Sequence, residues 1–427
     1  NKPTMSGEQR KALTHVSNPG GLKTVSGMAG TGKTYFMDAA RETFEGSGYK
    51  VQGLALSGKA ASGLQDETKI ESRTLDSFFF ALDKQQQQQS GGVDPKKIGQ
   101  SPQKSSFGID RNTVLLFVYA GIIDTRRLTR FFLVAAVAGA MVILVGDARQ
   151  LQPVESGGAF QSVSKQVGTV ELKEIRRQKE DWAKQAVHDF ADGKADKGLK
   201  AYQERGLITV KQDKQELYKT LVNDWASSGG VDNAKDHLIL ANTNADVRKI
   251  NQLDQEKRKQ EKAFGKRHTR IIGETLYEGD RVLFRQNDKR QDVKNGMGGT
   301  LQKIDLLKMQ LTVTLDNQES RTFSKDEYDQ LSLGYGVTTH KAQGMTVKNS
   351  YVLAGGSMQD RELTYVQMSR AKEQTRIYAQ GESKKKAMET LQSQMERSNQ
   401  KALARDWKPS MEQTKALYAG KSIMLSR

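Results

Sequence analysis

No stretch of this 427-residue chain constrains its fold more than Gly27-Met28-Ala29-Gly30-Thr31-Gly32-Lys33-Thr34. The octapeptide follows a short apolar run at residues 22–26 and opens into a helical pattern. Glycines there let backbone N–H groups close around phosphate oxygens, and a helix N-terminus adds a favourable dipole. Gly27, Gly30, Thr31 and Gly32 form the expected cradle. Lys33 is placed to reach the β- and γ-phosphates and the Thr34 hydroxyl to ligate Mg²⁺. A glycine-rich turn of no chemical consequence is the alternative, and the strand–loop–helix setting argues against it. A P-loop demands a parallel α/β sheet and a nucleoside triphosphate. It does not say what the nucleotide drives.

The rest of the chain fits that demand. Apolar strand candidates at residues 51–56, 114–119 and 141–145 alternate with helical patterns, predicting a first α/β domain over residues 1–170. Inside it, residues 84–106 are low-complexity, with five glutamines and then Ser90-Gly91-Gly92, and are expected to form a surface insertion. A second α/β domain is predicted to begin with residues 171–277, carrying a strand at 237–241 and a helix from Ala245. Residues 278–330 then change texture. Short alternating strands separated by Asn295-Gly296, Gly298-Gly299 and Asp316-Asn317 predict a small β-barrel. Parallel α/β texture returns at residues 331–380, and residues 381–427 read as a basic helical tail.

Lysine and arginine exceed aspartate and glutamate by 67 to 50, a net charge of +17 that calls for a polyanionic partner, nucleic acid or an acidic membrane surface. The absence of cysteine excludes a disulfide scaffold, a thiolate zinc site and a cysteine nucleophile, and fits a reducing compartment. The longest apolar run, residues 131–145 with Gly139 inside, is shorter than the ~18 residues a spanning helix needs, so no membrane insertion is expected. The chain opens polar at Asn1, without a signal-peptide pattern.

Further motifs narrow the choice of P-loop protein. Gly146-Asp147-Ala148-Arg149-Gln150-Leu151-Gln152-Pro153-Val154 follows an apolar strand, and Thr339-His340-Lys341-Ala342-Gln343-Gly344-Met345-Thr346 and Tyr365-Val366-Gln367-Met368-Ser369-Arg370-Ala371 lie downstream. In order and spacing these resemble motifs III, V and VI of superfamily 1 DNA helicases, in the RecD-like branch. Ser6-Gly7-Glu8-Gln9 resembles the Q motif, Ala55-Leu56-Ser57-Gly58-Lys59-Ala60-Ala61 motif Ia, and Arg73-Thr74-Leu75-Asp76 the next strand-contacting motif. Glu174-Ile175-Arg176-Arg177-Gln178 resembles motif IV. Residues 174–206 look particularly like the helicase portion of TraI-type conjugative relaxase-helicases.

That resemblance implies two RecA-like parallel-sheet domains with ATP between them and an SH3-like β-barrel inserted in the second. It implies that Gln9 recognises adenine, that Lys33, Arg177 and Arg370 neutralise the transferring phosphoryl group, that Asp147, Gln343 and Gly344 lie at the nucleotide, and that Gln150, counted with the catalytic residues, and Gln343 couple nucleotide state to DNA grip. By the same resemblance Ser57, Lys59, Thr74, His340 and Thr346 contact single-stranded DNA, with translocation 5′→3′. It also implies a bacterial cytoplasmic protein working with conjugative transfer machinery. A covalently linked relaxase domain would lie elsewhere, since the histidines at 15, 188, 237, 268 and 340 form no metal-binding cluster in sequence.

One motif departs from the pattern. The family places Asp-Glu-Ala-Gly after the third strand, the two acids serving the Mg²⁺ shell and the attacking water. Here Val118 and Tyr119 stand in those positions, followed by Ala120, Gly121 and Asp124. Valine cannot bind a hydrated cation, and a neutral tyrosine is a poor base at neutral pH. Two expectations follow: an ATP-dependent DNA helicase with an altered second motif, or a helicase-fold module that holds ATP and single-stranded DNA without unwinding.

Overall fold

The computed structural model describes residues 4–90, 108–151, 158–265 and 267–400. Its first sheet has six parallel strands in the order Glu71–Thr74, Lys50–Ala55, Thr113–Val118, Met141–Gly146, Leu22–Gly27 and Thr169–Leu172. The central strands are covered on both faces, so their sequences are continuous apolar runs. Val114, Leu116 and Val118 point into one core with Phe36, Val51 and Ile143. Leu115 and Phe117 point into the other, with Phe78, Phe131 and Leu144.

A second parallel sheet has the order Gly336–Thr338, His237–Ala241, Val347–Ala354, Ala371–Gln380 and Ile208–Lys211. The same two-residue alternation sorts its side chains. Leu238, Leu240, Val352 and Ile377 face one core, while Ile239, Ala241, Tyr351 and Leu353 face the other.

Between the strands His237–Ala241 and Gly336–Thr338 the chain makes a helix, Asn244–Gln260, and a hairpin of His268–Ile271 with Glu274–Tyr277. It then builds a five-stranded antiparallel sheet in the order Ser320–Ser324, Gln310–Leu315, Gly298–Asp305, Arg281–Phe284, Leu331–Leu333. Its inward residues Val282, Phe284, Leu301, Val313 and Phe323 belong to the same apolar cluster as Ile239, Tyr351 and Leu353. The inserted module therefore shares its core with the outer face of the second sheet.

The positively charged run after Lys249 is mostly the Asn244–Gln260 helix, with Ile250, Asn251, Asp254 and Arg258 buried at helical spacing. In the Phe78-Phe79-Phe80 trio, the first two are core, at 1% and 5% exposure, and Phe80 is 71% exposed. Residues 84–90 of the low-complexity stretch complete the helix Leu75–Ser90, and the remainder lies outside the described residues, as do Gln152, Pro153, Val154 and residues 401–427. The described part of the basic tail forms the helix Lys384–Glu396, seated through Leu391 and Met395. No helix among the described residues is long and apolar enough to cross a membrane.

Candidate functional site

The P-loop leaves the C-terminal end of the strand Leu22–Gly27 and enters the helix Lys33–Gly46. Gly30 turns with φ +81°, and a Cβ there would lie 2.6 Å from Arg177 Cβ, so both backbone and space require glycine. The loop is braced from behind by Gln9, whose Nε2 donates to the carbonyls of Thr31 and Gly32 at 3.2 and 3.3 Å. Gln9 is itself fixed in a capping box with Ser6. Lys33 Nζ donates to the Gly27 and Met28 carbonyls at 2.7 and 2.8 Å. The Thr31 hydroxyl donates to Met28 O at 2.8 Å.

Three cations meet here. Burial pushes Lys33 down to about 8, Asp147 raises it, and Arg177 and Arg370 lower it further. Arg370 is 2% exposed and is pushed down to about 9 by burial and by Arg177. Its Nε donates to Val366 O and its Nη2 to Ser369 Oγ, which hold the guanidinium in place. Arg177 donates to Ser369 O at 2.7 Å, and burial lowers it also. Two acids balance them in part: Asp147, felt by Lys33 and Arg370, and Glu67, felt by Arg177. The surplus of positive charge suits a polyphosphate.

The segment joining the two sheets is stitched to both. Met28 N donates to Leu172 O and Arg176 N to Gly30 O, while Lys179 N donates to Lys372 O. Gln178 Nε2 adds a bond to Ala371 O. A polar relay then crosses the cleft. Tyr365 accepts from Ala29 N at 2.6 Å and donates to Asp147 Oδ2 at 2.7 Å. Gln150 Nε2 donates to the same carboxylate oxygen, and Gln343 Nε2 donates to Gln150 Oε1 at 3.0 Å. Asp147, Gln150 and Gln343, expected at the nucleotide, are thus joined to one another. Tyr365 was given no role in the sequence reading, although it sits inside the motif that carries Arg370.

Behind Gln343, a buried network links Asn242, Gln359, Gln367 and Thr339. Gln367 lies inside the motif that carries Arg370 but was given no role there, and Gln359, in the polar stretch before it, carries no sequence signal.

The motif II positions are built differently from the family pattern. Val118 ends its strand at 4% exposure, packed in the core. Tyr119 turns into the left-handed region at φ +56°, and burial raises its pKa, so it stays protonated. Its hydroxyl faces Gly344: a Cβ at that residue, itself at φ +84°, would lie 3.1 Å from it. Asp124 caps the helix Thr125–Ala138, accepting from Arg127 N at 2.9 Å. Nucleoside polyphosphate fits the cradle and its cations. For Mg²⁺ the fit fails at the strand end, because Thr34 is left without the acidic partner that the pattern supplies. Among the described residues no group of three or more His, Asp or Glu side chains could hold a metal ion.

The residues expected to touch DNA fall into two sets. Ser57 lies just past the strand Lys50–Ala55 and Thr74 ends the strand Glu71–Thr74, and their hydroxyls accept from Ala60 N and Ser77 N of the helices that follow. His340 and Thr346 are exposed beside the Gly336–Thr338 strand. Lys59 instead packs against the inserted module. A Cβ at Gly296 would sit 3.3 Å from its Cδ, and burial lowers its pKa to about 8, with Asp316 opposing and Arg281 assisting. Nearby, Lys294 hydrogen-bonds the Ser62 hydroxyl, so the module rests on this helix.

Comparison with known proteins agrees with this geometry. Residues 4–213 match a family described as AAA domain. The conjugal transfer protein TraA of Rhizobium radiobacter is 36% identical over 88% of this chain and 32% of its own length. The ATP-dependent RecD2 DNA helicase of Deinococcus radiodurans is 26% identical over 86% of this chain and 48% of its own. The chain thus spans about a third of the length of the TraA relatives it matches. A structure of Bacteroides Pif1 bound to ssDNA shares the fold, with a TM-score of 0.58 at 19% identity, covering 90% of this chain and 93% of that one. The P-loop, the cross-cleft motifs and these relatives agree: over most of its length the chain is similar to the TraA conjugal transfer proteins and, more distantly, to a RecD2 DNA helicase.

Proposed function

We propose that this chain is the ATP-dependent motor segment of a conjugative DNA-transfer protein, moving 5′→3′ on single-stranded DNA in the bacterial cytoplasm. A relaxase domain and the transfer machinery act with it. The observation that carries the reading is the relay from Ala29 through Tyr365, Asp147 and Gln150 to Gln343, three residues from His340. A change at the phosphate cradle is passed by that path to the proposed DNA contacts. Gln9 would hold the base, Lys33, Arg177 and Arg370 the phosphates, and Ser57, Lys59, Thr74, His340 and Thr346 the strand. The similarity to TraA supports the conjugative setting.

Val118 and Tyr119 favour a second reading, a module that binds ATP and single-stranded DNA without turnover. ATP hydrolysis measured with and without single-stranded DNA separates the two. Turnover stimulated by DNA and abolished in Lys33→Ala establishes the motor. No turnover, with DNA binding retained and hydrolysis appearing in Val118→Asp/Tyr119→Glu, establishes the binding module.

A further inference from the structure

We propose that this site takes up nucleoside triphosphate through its fixed cations alone, with an affinity that does not depend on a divalent ion. The inference rests on the reading of the P-loop as a nucleotide site and concerns how that site meets the charge of its ligand.

Three observations carry it. The strand-end position that a metal-shell carboxylate would occupy is Val118, buried in the first sheet's core and in register with Val145 of the next strand. Neither Asp124 nor Asp147 is free to replace it, and Glu67, the other acid acting here, stands exposed near the end of the helix Gly58–Thr68. Asp124 is spent on capping its helix and pairing with Arg127. Asp147 Oδ2 is bonded by both Tyr365 and Gln150, and its Oδ1 accepts from Arg149 N. What remains on the metal side is the neutral hydroxyl of Thr34, a weak holder for a doubly charged ion that prefers several oxygen ligands.

The opposite side of the cleft is rich in charge. Arg177 and Arg370 both hydrogen-bond Ser369, at 2.7 Å each, and Arg177 lies against the P-loop that carries Lys33, where a Cβ at Gly30 would be 2.6 Å from its own. Such crowding is unfavourable while the site holds no anion and is relieved when a polyphosphate arrives. The binding energy that a coordinated ion would supply is therefore taken over by relief of repulsion among these cations. Tyr119 adds a hydroxyl donor in place of an acid. It removes one negative charge from the phosphate's surroundings, which lowers the need for a shielding cation.

The test is calorimetric titration of the whole chain with the β,γ-imido analogue of ATP, once in excess MgCl2 and once in EDTA. A dissociation constant that changes less than fivefold supports the proposal, and a fivefold or greater weakening on chelation overturns it. Failure to bind in either buffer overturns the nucleotide-site reading itself, so the two failures are distinguishable. In EDTA, Arg177→Ala is expected to bind at least tenfold more weakly and Arg177→Lys to recover most of that loss. Unchanged binding by Arg177→Ala would also sink the idea. Val118→Asp/Tyr119→Glu, where it folds, is expected to acquire a preference of tenfold or more for the Mg²⁺ buffer; no acquired preference counts against the assignment. The arginine variants carry the test if that double variant does not fold.

Discussion

Tyr365 shows how much a single hydroxyl can hold together. It satisfies a P-loop amide and a buried carboxylate at once, from the far side of the cleft. Removing it leaves both without that partner, which costs about 1–3 kcal/mol for a buried polar group. Tyr365→Phe is expected to lower the unfolding free energy measured by urea titration by that amount, while Tyr49→Phe, 38% exposed just ahead of the strand Lys50–Ala55, serves as a control for the substitution itself. The phenylalanine trio gives a sharper contrast. Phe78→Ala should cost roughly 3–5 kcal/mol, as truncation of a core aromatic does, whereas Phe80→Ala on the surface should change stability by no more than about 0.5 kcal/mol. Equal effects would mean that the helix Leu75–Ser90 is rotated from its described orientation. The sequence marks the trio as mostly core because aromatics dominate burial, but helical phase alone decides which ring is left outside. Tyr119 was legible only as a missing acid. Its left-handed backbone and its approach to Gly344 depend on a partner 225 residues away, which no local pattern encodes.

Among the elements, the most informative are the junctions between helices and strands. Ser57, Thr74 and Thr243 stand at or just past the ends of strands of the parallel sheets, and their hydroxyls accept from backbone amides of the helices that follow. Capping fixes where each helix begins and leaves its positive end at the sheet edge, where phosphates are best received. Thr74→Ala is expected to cost ~1 kcal/mol and to weaken binding of a single-stranded oligonucleotide in a fluorescence anisotropy titration. Where the inserted module joins the second sheet, Asp280 accepts from Tyr277 N, Gln255 and Tyr335, and burial raises its pKa from 3.8 to about 6, with Arg258 opposing. Because the folded value is raised, the contribution is fully present below the unfolded value and is lost as pH rises through 6. The midpoint of thermal unfolding should therefore fall between pH 5 and pH 7 by more in the native chain than in Asp280→Asn; an equal fall in both would contradict the raised value. The interior strands were legible because they are apolar runs. Glu71–Thr74, Thr169–Leu172 and Ala371–Gln380 were not, since edge position or polar composition hides them. Ala371–Gln380 has only Ile377, Tyr378 and Ala379 as its apolar core after Ala371, and it is recognisable as a strand through its parallel partners on both sides.

For the whole molecule, charge and continuity matter most. A net charge of +17 means that binding to single-stranded DNA should weaken with salt, with a log–log slope of about −0.7 per phosphate contact. A slope near zero would remove the phosphate track from the account. Lys59→Ala is expected to reduce that slope by less than His340-side changes such as Lys341→Ala, because Lys59 is packed against the inserted module while Lys341 is exposed. The P-loop and the Gly146–Gln150 motif were enough to place the phosphate cradle, because each lies at the end of an apolar strand. The relay from Tyr365 to Gln343 was not readable, since it exists only where two separately folded edges meet.

The apolar cluster that runs from Phe284 and Val313 through to Tyr351 and Leu353 has a consequence for ancestry as well as stability. A relative that lost the inserted strands would strip their side of this cluster of its cover, around Tyr335, whose hydroxyl donates to Asp280 and accepts from Arg281 N. Any lineage that shortens this insertion must therefore recolour that face with polar residues in the same step or recruit another segment to cover it. Length variation here and hydrophobicity in the parent sheet are bound to change together.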